Sequence, residues 1–186
     1  MAIEKWEILN QKVVFEHPRL TLIEDEVRLP DGNETTYLRY KRRGDAATIV
    51  AVNVEGEILL QREYSHPPAE VLYQFPGGGV PIGEDPAVGA NRELMEECSY
   101  KADLENIGEY YLDNRRSDAK MYVFVATNLQ KADLPSDAEE FIENQWLTEA
   151  KIDQLIANGE FKHPYVLAAW ALYKSWQHKT KKNTRH

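Results

Sequence analysis

The sequence predicts a mixed α/β (α+β) protein whose N-terminal part is a small antiparallel β-sheet extension. Residues 46–54 form a near-continuous apolar run, which is typical of a buried strand. Residues 86–98 have the pattern of a well-capped helix, and the C-terminal region shows apolar residues at helical spacing. With 186 residues, the chain is long enough for one domain with a proper core and a small appended unit.

Residues 1–44 are predicted to form the extension. The strand candidates lie at residues 6–9, 12–16, 21–29 and 35–41. Pro30-Asp31-Gly32-Asn33 has the composition of a tight hairpin turn. Because three antiparallel strands bury little surface by themselves, this sheet needs a partner surface, either from the next domain or from another subunit.

Residues 45–176 are predicted to form the main domain, and residues 177–186 a basic, flexible tail. The predicted strands of the main domain are residues 46–54, 57–64, 72–76, 107–112, 121–126 and 141–147. A glycine turn precedes the first helix. Thr148 is a suitable N-cap for a helix over 149–157, and His163-Pro164 opens a last helix that ends at about Trp176.

Charge and composition restrict the class of function. The formal net charge is −9, and residues 45–175 carry ten basic against 23 acidic side chains. Nucleic-acid binding requires a basic surface, so this acidity argues against it. The sequence has no apolar run of about eighteen residues and no signal-peptide pattern at its start, so we expect no membrane span and a cytoplasmic protein. Cys98 is the single cysteine and cannot form an internal disulfide.

The helix over 86–98 carries an unusual set of acidic residues. Asp85 is a good N-cap, and Pro86 suits the first helical position. Glu93, Glu96 and Glu97 share one side of this helix, where like charges repel, and Arg92 offsets only part of the repulsion. A solvated acidic face is one interpretation. The other is a site for Mg²⁺ or Mn²⁺, which prefer such hard oxygen ligands.

The spacing of Gly78, Glu84, Arg92, Glu93, Leu94, Glu96 and Glu97 resembles the Nudix box, G-x5-E-x7-R-E-U-x-E-E-x-G-U. Two positions depart from the pattern, because Ser99 replaces the glycine and Tyr100 the aliphatic residue. Further segments resemble the ADP-ribose pyrophosphatase branch, among them Gln61-Arg62-Glu63-Tyr64 and Phe75-Pro76-Gly77-Gly78. The resemblance implies the Nudix fold, a mixed sheet between helices, and a homodimer formed through the N-terminal sheet.

The resemblance also implies roles for individual residues. Glu93, Glu96, Glu97 and the Gly77 carbonyl would hold a divalent metal, Mg²⁺ or Mn²⁺ as a substitute. Arg92 and Glu84 would orient the ligating carboxylates. The water-activating base would be Glu140, with Glu139 and Glu96 as alternatives.

Three arginines are candidates for binding the substrate. Arg62 suits a phosphate contact or, equally, a surface ion pair. Arg115 and Arg116 occupy a loop where relatives that prefer ADP-ribose carry a proline-containing element, which this chain lacks. The predicted substrates are therefore nucleoside diphosphate sugars in general, including ADP-ribose, ADP-glucose and GDP-mannose.

Two other functions stay open. One is a pyrophosphatase for nucleoside triphosphates or dinucleoside polyphosphates. The other is a non-catalytic domain that senses a nucleotide sugar, although such domains tend to lose the carboxylates that this chain keeps.

Overall fold

The computed structural model describes residues 3–135 and 141–183. Ten strands and three helices follow one another in this part of the chain. The strands are β1 (Glu7–His17), β2 (Leu20–Arg28), β3 (Glu34–Arg42), β4 (Gly44–Ala51), β5 (Ile58–Ser65), β6 (Glu70–Gln74), β7 (Gly77–Pro81), β8 (Tyr100–Tyr111), β9 (Lys120–Lys131) and β10 (Ile142–Leu147). The helices are α1 (Pro86–Cys98), α2 (Glu149–Ala157) and α3 (Pro164–Asn183). Within these ranges no helix is both long and apolar enough to cross a membrane.

A mixed sheet between helices forms the centre of the molecule, as predicted. Its strand order is β7-β4-β9-β8, with β4 and β9 parallel and the other pairs antiparallel. A three-stranded sheet, β10-β5-β6, lies beside it. Alternate residues of β4 and β5 point to opposite faces, so Ile49 and Leu59 pack with Leu94 of α1, whereas Val50 and Leu60 pack with Trp170 of α3.

The N-terminal extension is a three-stranded antiparallel sheet in the order β1-β2-β3. The predicted hairpin turn is confirmed, since Gly32 has a φ of +87° and its amide donates to the Leu29 carbonyl over 2.9 Å. The two strands expected over 6–9 and 12–16 are a single strand. Asn10 and Gln11 continue the pairing opposite Glu26 and Asp25, and the two irregularities of the strand lie at Leu9 and Val14.

The extension is attached to the main domain through the loop that follows β8. The Tyr40 amide donates to the Arg116 carbonyl over 2.8 Å, and Nη1 of Arg116 donates to the Leu38 carbonyl over 2.8 Å. The same guanidinium lies over the ring of Tyr37, 5.3 Å from its centroid, and the Tyr37 hydroxyl donates to the Arg115 carbonyl. The loop therefore joins the two parts of the chain.

Several element boundaries differ from prediction, including the end of β9, which lies at Lys131 instead of residue 126. The glycine turn is mostly the strand β7, paired with β4. β8 begins at Tyr100, directly after α1, whereas the predicted strand began at residue 107. The first part of β8 was missed because its polar and apolar residues alternate along a half-exposed strand that carries no long apolar run. α3 continues seven residues beyond the expected end at Trp176, so the segment up to Asn183 is not a frayed tail. Its lysines are good helix formers, and Nε2 of Gln177 donates to the Tyr173 hydroxyl.

Candidate active site

Both ends of α1 are fixed by local chemistry. Oδ1 of Asp85 accepts hydrogen bonds from the amides of Ala87 (2.8 Å) and Val88 (3.3 Å), which confirms the predicted N-cap. At the other end Ser99 adopts the left-handed conformation, with a φ of +59°. Glycine is favoured in this conformation, so the departure from the Nudix box leaves the cap geometry intact but strained.

Arg92 organises the carboxylates of α1. Its Nη1 lies 2.8 Å from Oε1 of Glu93 and 2.9 Å from Oε2 of Glu96, while Nη2 donates to the Gly79 carbonyl over 2.9 Å. Glu84 is a weaker partner, because its Oε2 lies 3.5 Å from Nη2 and accepts no hydrogen bond from the described residues. Burial disfavours the charge on Arg92, but the carboxylates outweigh this effect and raise the pKa of Arg92 above its ordinary value.

Two glycines make room for these carboxylates. A Cβ on Gly78 would lie 2.5 Å from Cδ of Glu93, and a Cβ on Gly89 would lie 2.8 Å from Oε2 of Glu84. Real Cβ atoms do not approach other atoms so closely. The glycine strand β7 therefore lies directly against the Glu93 carboxylate. This close approach explains why the Nudix box has a glycine at the position of Gly78.

Glu97 is held by residues from three strands. Its Oε2 accepts hydrogen bonds from the Gly77 amide (3.0 Å) and from Nε2 of Gln61 (3.1 Å), and its main-chain carbonyl accepts one from Nδ2 of Asn144 (2.8 Å). The neighbouring Cys98 is buried against the sheet. Burial, followed by the negative charge of Glu97, raises the pKa of the Cys98 thiol to about 12, so this thiol is a packing residue rather than a nucleophile.

The donor set suits a hard divalent cation. Carboxylate oxygens from Glu93, Glu96 and Glu97 lie along one side of α1 beside the backbone of β7, and oxygen atoms are the ligands that Mg²⁺ and Mn²⁺ prefer. As the side chains are placed, no three His, Cys, Asp or Glu residues of ranges 3–135 and 141–183 converge on one point. The contacts of Arg92 account for part of this spacing, because its guanidinium bonds both Glu93 and Glu96. The ligand types present, carboxylate oxygens, are therefore suited to Mg²⁺ or Mn²⁺.

Two of the three arginines that the sequence singled out have protein partners. Nη1 of Arg62 lies 3.0 Å from Oε2 of Glu143, which is the ion-pair alternative. The guanidinium of Arg116 is used to attach the loop to β3. Arg115 lines a 430 Å³ cavity between that loop and the N-terminal sheet, together with Tyr37 and Asn114. Glu140 and its alternative Glu139 lie outside the described residues.

Arg19, Arg42 and Arg43 were not predicted as site residues. They line an open groove of 340 Å³ together with Gly79, Val80 and Pro81 of the glycine strand. None of the three forms an ion pair with a described residue. Arg42 also lines a 230 Å³ cavity that includes Gly77, Gly78 and Gly79. The basic run Lys41-Arg42-Arg43, directly before a buried strand in an acidic domain, is the sequence feature that would have indicated Arg42 and Arg43.

A capped acidic helix against a glycine strand, with cationic residues beside it, offers the metal ligands and positive charges that phosphoryl transfer uses. Residues 42–170 match the family described as NUDIX domain. The chain belongs to this family and is a Nudix-type pyrophosphohydrolase.

Individual relatives agree with this assignment. The chain is 30% identical over 164 residues to the ADP-ribose pyrophosphatase of Bacillus subtilis (strain 168), covering 86% of this chain and 84% of that protein. It is 28% identical over 160 residues to the methanol dehydrogenase activator of Bacillus methanolicus, covering 84% of each. A crystal structure of ADP compounds hydrolase matches with a TM-score of 0.86 at 25% identity, covering 97% of this chain and 98% of that one. The expected ADP-ribose pyrophosphatase branch and the Nudix fold are confirmed.

Proposed function

We propose that this enzyme hydrolyses the pyrophosphate bond of nucleoside diphosphate sugars, including ADP-ribose, ADP-glucose and GDP-mannose, to a nucleoside monophosphate and a sugar phosphate. The observation that carries the proposal is that the glycine strand β7 lies beside groups of opposite charge, the carboxylates of Glu93, Glu96 and Glu97 and the arginine groove. Relatives named ADP-ribose pyrophosphatase and ADP compounds hydrolase support a substrate in which a nucleoside diphosphate carries a further group.

The carboxylates are proposed to serve as metal ligands. Glu93, Glu96 and Glu97, with the Gly77 carbonyl, would hold Mg²⁺, for which Mn²⁺ can substitute. When bound, such a metal neutralises charge on the phosphates and polarises the bond to be broken. Arg92 and Glu84 keep the carboxylates oriented, since Arg92 contacts Glu93 and Glu96 directly. Glu140 remains our proposed base for the attacking water, with Glu139 and Glu96 as alternatives.

The arginine groove is proposed to bind the phosphates. Arg19, Arg42 and Arg43 supply positive charge at the edge of a strongly acidic domain, and guanidinium groups bind phosphate oxygens through paired hydrogen bonds. Their lack of ion-pair partners in the described chain leaves those donors available. Arg115 is proposed to contact the distal group of the substrate, because its cavity contains aromatic and amide side chains.

We propose further that the enzyme is a cytoplasmic homodimer. The N-terminal sheet supports the dimer, because Ile8, Val13 and Phe15 of β1 are each more than half exposed. Apolar surface on a sheet that buries little by itself requires a covering partner. Sedimentation equilibrium would test the dimer, with twice the chain mass of 21.5 kDa as the expected result.

A substrate panel tests the reaction. ADP-ribose, ADP-glucose, GDP-mannose, ATP and a dinucleoside polyphosphate would be compared at equal concentration with Mg²⁺. We expect a diphosphate sugar to have the highest kcat/KM. Faster release of pyrophosphate from ATP would refute the proposal in favour of a triphosphate pyrophosphatase. Binding of a nucleotide sugar without any phosphate-containing product would indicate a sensor.

A further inference from the structure

Gln61 is a fully buried polar side chain to which the proposed reaction assigns no role. It is the last of four consecutive buried residues of β5, after Ile58, Leu59 and Leu60, and it is 0% exposed. Burying an amide among apolar side chains costs free energy unless its donors and acceptors are paired. Its position therefore calls for an explanation in terms of its partners.

Three hydrogen bonds orient the Gln61 amide. Nε2 donates to Oε2 of Glu97 (3.1 Å) and to Sγ of Cys98 (3.4 Å), while Oε1 accepts from Nε2 of Gln74 (3.4 Å). An ionised carboxylate only accepts hydrogen bonds, so the nitrogen of Gln61 must face Glu97. Gln74 agrees with this orientation, because its Nε2, which also faces the Glu63 carboxylate, donates to Oε1 of Gln61.

Glu97 also makes hydrogen bonds with Gly77 and Asn144. The Gly77 amide of β7 donates to the same Oε2, and Nδ2 of Asn144 on β10 donates to the Glu97 main-chain carbonyl. Oδ1 of Asn144 in turn accepts from the Cys98 thiol over 3.6 Å. The last turn of α1 is thus held by three strands, and Gln61 is the contact that fixes the plane of the Glu97 carboxylate from within the core.

We propose that Gln61 is a positioning residue that aims the Glu97 carboxylate for metal binding. The inference rests on the proposed function, because it assumes that Glu97 is a metal ligand. A side chain that hydrogen-bonds a ligating carboxylate restricts its rotation before the metal arrives. Partners of this kind typically change metal affinity by about 10- to 100-fold.

The test measures Mn²⁺ affinity by electron paramagnetic resonance on the full chain without nucleotide. Gln61→Met removes the donors and keeps most of the volume, and we expect a 10- to 100-fold weaker Mn²⁺ affinity. Gln74→Leu removes the partner of Gln61 Oε1, together with a hydrogen bond to Glu63 on the same strand as Gln61, and leaves the Gln61 donors in place, so a few-fold loss is expected. Leu59→Met is the matched control, because Leu59 lies on the same face of β5 and makes no polar contact. This control should leave the Mn²⁺ affinity unchanged even where urea unfolding shows a stability loss equal to that of Gln61→Met.

A second readout separates positioning from folding. At saturating Mn²⁺, Gln61→Met should regain most of its kcat with an unchanged KM for ADP-ribose. Wild-type Mn²⁺ affinity in both Gln61→Met and Gln74→Leu would overturn the inference and leave the proposed function standing. Absence of Mn²⁺ binding by the wild-type protein would overturn the inference about Gln61 and the proposed function together. If Gln61→Met does not fold, Gln74→Leu alone decides, since Gln74 is only partly buried.

Discussion

The carboxylates of α1 and the arginines of the groove both lie beside the glycine strand β7, but contacts within the described chain hold only the carboxylates. Glu97 is fixed by Gln61 and the Gly77 amide, and Glu93 is enclosed by Gly78 and Arg92. Arg19, Arg42 and Arg43 are exposed and form no ion pair with a described residue. The contrast indicates that the carboxylates proposed for metal binding are already held by protein contacts, whereas the arginines proposed for recognition gain partners only from a substrate.

Among the tested substitutions, Glu97→Gln should lower kcat the most. The new amide can still accept hydrogen bonds from Gln61 and Gly77 through its oxygen, so the fold should be retained, but the ligand charge is lost. We expect kcat to fall on the order of 10³-fold, corresponding to several kcal/mol of metal stabilisation. Steady-state kinetics with Mg²⁺ would measure it, and a kcat equal to that of the wild type would remove Glu97 from the ligands.

Gly78→Ala should be the next most damaging change. Its Cβ would lie 2.5 Å from Cδ of Glu93, so the carboxylate must move. A displacement of about 1 Å can lower a rate about 100-fold, and we expect a loss of kcat of that size. Gly79→Ala is the matched control for kcat, because a Cβ there meets no atom within 4 Å. Gly79 also lines the arginine groove, so an effect of this variant on substrate binding would be seen in KM. Equal losses in both variants would show that Glu93 is not rigidly placed.

Arg42→Ala tests the recognition side. Loss of a hydrogen-bonded charge from a phosphate contact costs about 1.5–3 kcal/mol, so KM for ADP-ribose should rise at least about tenfold with little change in kcat. Arg62→Ala provides the comparison, since Arg62 already pairs with Glu143. We expect its KM to stay near the wild-type value. The reverse order of effects would restore Arg62 as the phosphate contact and remove Arg42.

Ser99→Gly should have the smallest effect and should stabilise the protein. Ser99 occupies the left-handed region at the end of α1, which costs a non-glycine residue about 1–2 kcal/mol. Part of the gain is offset by the greater freedom of glycine in the unfolded chain, so we expect a net increase of about 0.5–1 kcal/mol in the free energy of unfolding. Urea denaturation would measure it. A lower free energy of unfolding would mean that the Ser99 side chain makes a compensating contact.

The parts of the molecule that could be predicted from sequence are those encoded locally. Asp85, Pro86 and the i, i+4 spacing of Arg92 and Glu96 act within one helix, so a pattern of a few residues fixes their geometry. The hairpin at Gly32 follows from turn chemistry in the same way.

Features that depend on residues distant in sequence could not be predicted. Arg62 pairs with Glu143, 81 positions away, and Arg116 bonds a carbonyl 78 positions away. No pattern of neighbouring residues predicts that Arg62 pairs with Glu143 or that Arg116 bonds the Leu38 carbonyl. The burial of Gln61 is of the same kind, because its polar contacts lie on α1 and β6, and the sequence of β5 gives no sign of them.

The identity of the products tests the central proposal most directly. ADP-ribose would be incubated with the enzyme and Mg²⁺ in ¹⁸O-labelled water, and the products would be identified by ³¹P nuclear magnetic resonance. We predict AMP and ribose 5-phosphate in equal amounts, with ¹⁸O in one of them and neither inorganic phosphate nor pyrophosphate released. Intact ADP-ribose, under conditions in which ATP yields AMP and pyrophosphate, would contradict the proposed hydrolysis of nucleoside diphosphate sugars.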